Sequence, residues 1–258
     1  MEISHVSSAV FIFKKTAPDR LFIEMKDDGY PVRSLRGNLN PFGGSWSAED
    51  AADLNPYDTL TRELDEELTF KPLLGDQKNN NYSGSISTDT TATASFAQPP
   101  KIDDEQTLRQ IKELIIQESS FYGQFLVRAF KEVADQSTSG SQPDLTQLVT
   151  YYTCLLDDDT WHTLSHLQST FGNLSSEART VLTDLEEMVS SSRSIIYGHD
   201  QTLQRIWQEM GYQKARELLL CSHPPITEIE PFVSYQELTD RYYLPNSPQP
   251  ATVSPSYK

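Results

Sequence analysis

Apolar and polar positions along the chain divide it into short runs with different periods. Ala9-Val10-Phe11-Ile12-Phe13 is a continuous apolar run, and Arg20-Leu21-Phe22-Ile23-Glu24-Met25 follows a Pro18-Asp19 turn, so the pair predicts a β-hairpin. Asn40-Pro41-Phe42-Gly43-Gly44-Ser45-Trp46 reads as a turn-rich loop. Leu60, Leu64 and Leu68 then recur at four-residue spacing behind Asn55-Pro56, a suitable cap and first position for a helix. A second helix is predicted over 104–117, with Leu108, Ile111, Leu114 and Ile115 on one face. Strands are predicted over 121–133 and 148–156. Helices are predicted over 161–170, 175–190 and 200–210, with a strand-like Ser194-Ile195-Ile196-Tyr197 before the last.

Between these elements lie segments that cannot bury enough surface to offset their ordering entropy. Residues 76–100 are mostly Asn, Ser, Thr, Ala and Pro, and residues 135–144 are rich in Ser, Gln and Thr; both are expected to be disordered insertions. Residues 245–258, with four prolines, are expected to be a flexible C-terminal tail. The domain organisation that follows is one domain over 1–244 carrying two polar insertions.

Composition narrows the chemistry. The chain has 258 residues, and its 21 Lys and Arg against 37 Asp and Glu give a formal charge of −16. So few cations make no basic stripe, which argues against a nucleic-acid partner. An acidic protein that handles phosphates needs metal ions as its positive charge. No window approaches the length of a spanning helix and the first residues carry no basic, apolar leader, so no membrane partner is expected and a cytoplasmic location is. Cys154 and Cys221 read as free thiols in a reducing compartment.

The chemistry-bearing stretch is 43–70. With Glu63 set at zero on a helical wheel of about 100° per residue, Glu67 falls near +40°, Glu66 near −60°, and the three leucines near +60° to +140°. Glu63, Glu66 and Glu67 therefore converge on a strip beside the apolar face. Carboxylates this close raise one another's proton affinity, and a divalent cation relieves that repulsion. Hard oxygen donors in this number suit Mg²⁺ or Mn²⁺. The competing reading is a solvated acidic helix face.

Arg62-Glu63-Leu64-Asp65-Glu66-Glu67-Leu68-Thr69-Phe70, preceded by Gly43-Gly44 and Glu49, resembles the signature of the Nudix hydrolase family. Gly43 and Glu49 have that signature's first spacing, and the Arg-Glu-Leu-x-Glu-Glu core is intact. Two departures stand out. Twelve residues instead of seven separate Glu49 from Arg62, and Thr69 replaces a glycine.

The resemblance implies an α/β/α sandwich with a mixed β-sheet. It also implies a metal-dependent pyrophosphohydrolase cleaving a nucleoside diphosphate linked to another moiety, with Glu63, Glu66 and Glu67 as metal ligands. Arg62 would then orient a carboxylate, and Gly43, Gly44 and Trp46 would contact substrate. The partner implied is a small-molecule nucleotide, and a homodimer is compatible with the family. The alternative is a catalytically inactive Nudix-like module that binds nucleotide or regulates.

Weaker signals lie outside that stretch. His199, in Tyr197-Gly198-His199-Asp200, is the best candidate for a supplementary acid, base or phosphate contact, against a plain reading in which Asp200 caps a helix. His162 and His166 read as a surface pair or a metal chelate. Asp157-Asp158-Asp159 reads as a helix cap or a second metal contribution. Phe42, Trp46, Phe121, Tyr122, Tyr151 and Tyr152 are candidates for stacking on a base, and Arg36, Arg128, Arg193 and Arg205 are generic phosphate contacts.

Overall fold

A computed structural model describes residues 3, 5–26, 36–46, 53–70, 100–129, 145–176, 178–191, 194–220 and 225–241. The insertion expected over 76–100 lies outside these apart from Pro100. The insertion expected over 135–144, the tail over 245–258, and Glu49, Arg193 and Cys221 lie outside them altogether.

The predicted hairpin is present as β1 (His5–Lys14) and β2 (Ala17–Met25). The loop after it contributes β3 (Leu39–Asn40) and β4 (Phe42–Ser45). Helices α1 (Pro56–Glu67) and α2 (Ile102–Glu118) follow, then β5 (Ser120–Ala129), β6 (Leu145–Leu156) and α3 (Asp158–Phe171). The remainder is β7 (Arg179–Asp184), α4 (Leu185–Ser191), α5 (His199–Glu209), β8 (Thr227–Glu228) and α6 (Tyr235–Arg241).

The strands form a mixed sheet in the order β3-β2-β1-β6-β5-β8, with β4 on β1 and β7 on β2. β1 and β6 run parallel from His5 opposite Gln147 to Lys14 opposite Leu156, whereas the other pairs are antiparallel. One feature of β1 shapes the site: a single edge of it serves two partners. Residues 7–10 pair with β4 and residues 12–14 with β2. The divided edge places β2 and β4 end to end along the same side of β1.

Side chains alternate across the pleat and seed a core on each face. Phe11, Phe13, Tyr151, Leu203 and Trp207 pack under α4 and α5. Val10, Ile12 and Phe22 pack against Leu60, Leu64 and Leu68 of α1, with α2 and α3 beside them. The result is the α/β/α arrangement with a mixed sheet. No helix among the described residues is long and apolar enough to cross a membrane.

Two expectations are corrected. Residues 175–190 are not one helix, because the outer edge of β2 needs a partner. Thr180, Val181, Leu182 and Thr183 suit a strand and pair with Glu24 to Leu21, so the helix shrinks to α4. The stretch Ser194 to Tyr197 does not form a strand; Ile195 makes one parallel bridge to Leu39 and a 3₁₀ turn follows at Ile196–Gly198.

The Asn55 side chain accepts from the Tyr57 and Asp58 N–H groups and Leu64 is fully buried. Asn55→Ala is expected to lower stability by about 1 kcal/mol and Leu64→Ala by about 3 kcal/mol, both measured by urea unfolding.

Candidate active site

Helix α1 is pinned at both ends. Asn55 closes its start, and its apolar stripe lies on the sheet. Its C-terminus leaves without a left-handed residue, since Leu68 has φ −81° and ψ 88°. The chain instead enters an extended exit that pairs with residues 174–176. Leu68 bridges Ser175, the Thr69 N–H donates to the Leu174 carbonyl at 3.1 Å, and Ser176 donates through N–H to the Glu67 carbonyl at 2.9 Å and through Oγ to that of Glu66 at 2.7 Å. The orphan carbonyls of the last turn thus find partners in another segment. That is why Thr69 serves where the signature has glycine.

The three glutamates are graded in burial by their angle from the leucine stripe. Glu67, nearest the leucines, is 2% exposed, the Glu63 side chain is 12% exposed and that of Glu66 is 56% exposed. The strip seen on the wheel is therefore a slope from core to solvent. Glu67 accepts the Gly43 N–H at 2.9 Å. Beside it lies Glu24 of β2, itself buried, which accepts from Ser175 Oγ at 2.5 Å and has Lys26 Nζ at 3.8 Å. Burial and the neighbouring Glu24 carboxylate hold the Glu67 carboxyl well above the ordinary glutamate range. Glu63 adds to the rise, while the Gly43 N–H and Lys26 oppose it.

The two glycines of β4 permit this approach. A Cβ on Gly44 would lie 2.3 Å from Glu63 Oε2, and one on Gly43 would lie 2.1 Å from the Ser8 carbonyl, at a φ of +131° that side chains avoid. Arg62 spans the outer side of the cluster. Its NH1 is 2.8 Å from Glu63 Oε1 and 3.4 Å from Glu66 Oε2, its NH2 donates to the Ser45 carbonyl at 2.8 Å, and its Nε and NH2 reach Asp53 Oδ2 at 3.3 and 3.1 Å.

Arg62, Glu63, Glu66, Glu67, Gly43 and Gly44 are thus brought together. His199 is not. It hydrogen-bonds the Tyr151 hydroxyl through Nδ1 at 2.6 Å in the core under α5, on the opposite face of the sheet from α1. Asp200 does not cap that helix either, since the cap position is Gly198 with φ +78° and Asp200 lies inside the first turn. Trp46 packs against Tyr235 with ring centroids 4.6 Å apart and planes tilted by 32°, and donates its indole N–H to the Asp53 carbonyl at 3.2 Å.

Among the remaining candidates, Phe42, Tyr151 and Tyr152 are buried, while Phe121 is exposed and meets Phe232 edge-on. His162 and His166 are exposed on α3, and His162 is hydrogen-bonded to the Asp158 carbonyl. Asp157 caps α3 by accepting the Thr160 N–H, and Asp158 pairs with Lys14. Arg205 is engaged by Glu209 and Glu228. Cys154 is a buried free thiol, its pKa pushed up to about 12 by burial.

Two residues of the cluster escaped the sequence reading. Glu24 carried a legible signal: it alternates onto the same face of β2 as core residue Phe22, and a charge at an inward-facing strand position asks for a reason. Asp53 carried almost none, being one acid among several in a long loop.

Carboxylates that raise one another's proton affinity are suitable donor chemistry for a hard divalent cation. Among the described residues, however, no three acidic, histidine or cysteine side chains stand together in ligating positions. Arg62 holds Glu63 and Glu66, and Glu67 is turned to Gly43, so a cation bound here competes with Arg62.

No protein-family model and no curated protein matches the chain. Among solved structures it is similar to a NUDIX hydrolase from Alicyclobacillus acidocaldarius, at 14% identity over 74% of this chain and 83% of that one, with a TM-score of 0.36. It is also similar to a mutT/nudix family protein from Listeria innocua, at 10% identity over 82% and 96%, again with a TM-score of 0.36.

Because the fold raises the proton affinity of Glu67 above its unfolded value, ionised Glu67 destabilises the folded state as pH rises past the ordinary glutamate range. Glu67→Gln is therefore expected to raise the melting temperature of metal-free protein at pH 7, the gain vanishing once acid protonates the carboxyl in both states. Gly44→Ala meets only the mobile end of Glu63, so it should displace that carboxylate while the melting temperature stays close to the parent's. Gly43→Ala meets backbone and is expected to prevent folding, read by circular dichroism.

Proposed function

We propose that the chain is a metal-dependent pyrophosphohydrolase that cleaves a nucleoside diphosphate linked to another moiety. The observation that carries this reading is the buried Glu67 carboxyl, whose proton affinity is raised by burial and by the neighbouring Glu24 and Glu63. A fold retains such repulsion at a cost in stability, and a cation site gives it a use. Glu63, Glu66 and Glu67 would hold Mg²⁺ or Mn²⁺. The bound cation supplies charge neutralisation at the pyrophosphate and a water of lowered pKa.

The protein's own part is to hold these groups in place. Glu67 is fixed by the Gly43 N–H, Glu24 by Ser175, and Glu63 by Arg62. Arg62, already in contact with two carboxylates, directs them by charge-assisted hydrogen bonds. Attack of water on one phosphorus and departure of the bridging oxygen give two phosphate esters, one of them nucleotide. Cations held by the glutamates would stand between protein and pyrophosphate, which is how a chain of charge −16 would meet a polyanion.

One observation favours a second reading, a nucleotide-binding module without turnover. Arg62 already neutralises Glu63 and Glu66, leaving less for a cation to do.

A panel of nucleotide sugars, ADP-ribose-like compounds, dinucleoside polyphosphates and nucleoside triphosphates, assayed for phosphate or monophosphate release with and without Mg²⁺ or Mn²⁺, separates the two. Hydrolysis requires product only with metal, and Glu66→Gln or Glu67→Gln should then lower kcat at least about 100-fold with the fold intact. Parent-like rates in both variants sink the metal assignment. Ligand-induced stabilisation without product supports the binding module.

A further inference from the structure

The long loop before α1 carries a residue outside the Arg-Glu-Leu-x-Glu-Glu core on which the aim of Arg62 depends. Asp53 lies nine positions before Arg62 with its side chain 4% exposed, and one of its oxygens, Oδ2, collects three donors. These are Thr59 Oγ1 at 3.0 Å, Arg62 Nε at 3.3 Å and Arg62 NH2 at 3.1 Å. Thr59 Oγ1 also lies 2.8 Å from the Tyr235 hydroxyl. A threonine has a single hydroxyl proton, and the carboxylate that is ion-paired to Arg62 takes it. With the Thr59 proton on Asp53, the Tyr235 O–H, which also lies beside the Ser8 side chain, donates to Thr59, and the bonds run from Tyr235 through Thr59 to Asp53.

The far end of this relay is anchored. Tyr235 opens α6 and packs with Val233 and Leu238 against Ile3, Val6 and Leu148 in a small third core. Trp46 packs against the Tyr235 ring and bonds the Asp53 carbonyl, so Asp53 is gripped by backbone and side chain alike. At the near end, Asp53 occupies the Nε edge of the guanidinium. The opposite nitrogen, NH1, is left pointing at Glu63 and Glu66. A planar fork held along one edge has a fixed plane; released, it is free to turn onto the carboxylates.

We propose that Asp53 is a positioning residue: locked by Thr59 and Tyr235, it holds the Arg62 guanidinium in the plane from which it directs Glu63 and Glu66. The C-terminal helix α6 is thereby part of the candidate site although it contributes no group to it. For its effect on turnover the proposal rests on the hydrolase reading; for the hold on Arg62 it does not.

The test uses the full chain with Asp53→Asn and Tyr235→Phe, read in two independent ways. The first is the Arg62 Nε–H resonance in nitrogen-15 NMR, which should be sharp and slow to exchange in the parent, broadened in Asp53→Asn, and intermediate in Tyr235→Phe. The second is steady-state kinetics at saturating Mg²⁺, where Asp53→Asn should lower kcat about 10-fold or more with KM within about twofold. The two substitutions combined should fall short of the product of their separate effects, because they interrupt one relay.

An unchanged Arg62 resonance in Asp53→Asn overturns the proposal. So does a KM effect with kcat untouched. If the parent shows no turnover on the panel, the hydrolase reading fails alone and the resonance still decides the role of Asp53. Tyr235→Phe keeps the ring contact and removes one hydroxyl, so it decides the matter if Asp53→Asn does not fold.

Discussion

A carboxyl enclosed between a helix and a sheet loses its water, and the neighbours of Glu67 replace that water only in part, so its proton affinity stays raised. The Gly43 N–H replaces one hydrogen bond. It is available because β4 pairs with only part of β1, and because neither Gly43 nor Gly44 has a side chain to hold the helix off. The helix keeps its distance because Leu60, Leu64 and Leu68 fill the core beneath it. Its last carbonyls are closed by Ser176 and its exit by Leu174, so α1 ends where Glu67 is needed. Glycine positions, strand pairing and helix exit are separate facts of the chain that serve one buried carboxyl.

The same enclosure sets the electrostatic character of the site. Glu67 has both Glu24 and Glu63 as electrostatic neighbours, with Lys26 beside Glu24 and Arg62 beside Glu63, so acid gathers at the centre and cations at the rim. A fold whose net stability is a small difference between large terms tolerates such a cluster because two apolar cores share one sheet around it. Arg62 stands between opposing demands. It calms the carboxylates in the absence of any other cation, and it occupies two of the oxygens that such a cation would want. Its tether to Asp53 keeps that contest balanced by limiting how far the guanidinium can move over Glu63 and Glu66.

Much of this was legible in the sequence where the signal was local. Asn55-Pro56 and the four-residue leucine spacing located α1 to within a residue of its start, and the wheel put Glu63, Glu66 and Glu67 on a strip beside the leucines, while their gradation from core to solvent emerged only from the structure. Signals that depend on distant partners were not legible. Residues 175–190 have acceptable helical character, yet the free edge of β2 claims part of them as a strand. His199 stands at a turn like those of many active sites, but strand alternation puts its partner Tyr151 on the face away from α1. Asp53 needed three elements in place before its role was visible: α1, β4 and α6. Glu24 was the missed opportunity, since its inward-facing position on β2 follows from alternation alone.

The extended exit of α1 through Thr69 carries a consequence for the order in which the molecule comes into being. A helix that ends on its own glycine is complete as soon as it is made. This one borrows its closing bonds from Leu174, Ser175 and Ser176, more than a hundred residues downstream, and the hold on Arg62 comes later still, from Tyr235. During synthesis the acidic helix therefore emerges long before the segments that close its last turn and anchor the tether of Arg62, and the cluster is complete only when the last third of the chain has arrived. A shortened product would carry the whole Arg-Glu-Leu-x-Glu-Glu core and still lack the geometry that makes it a site.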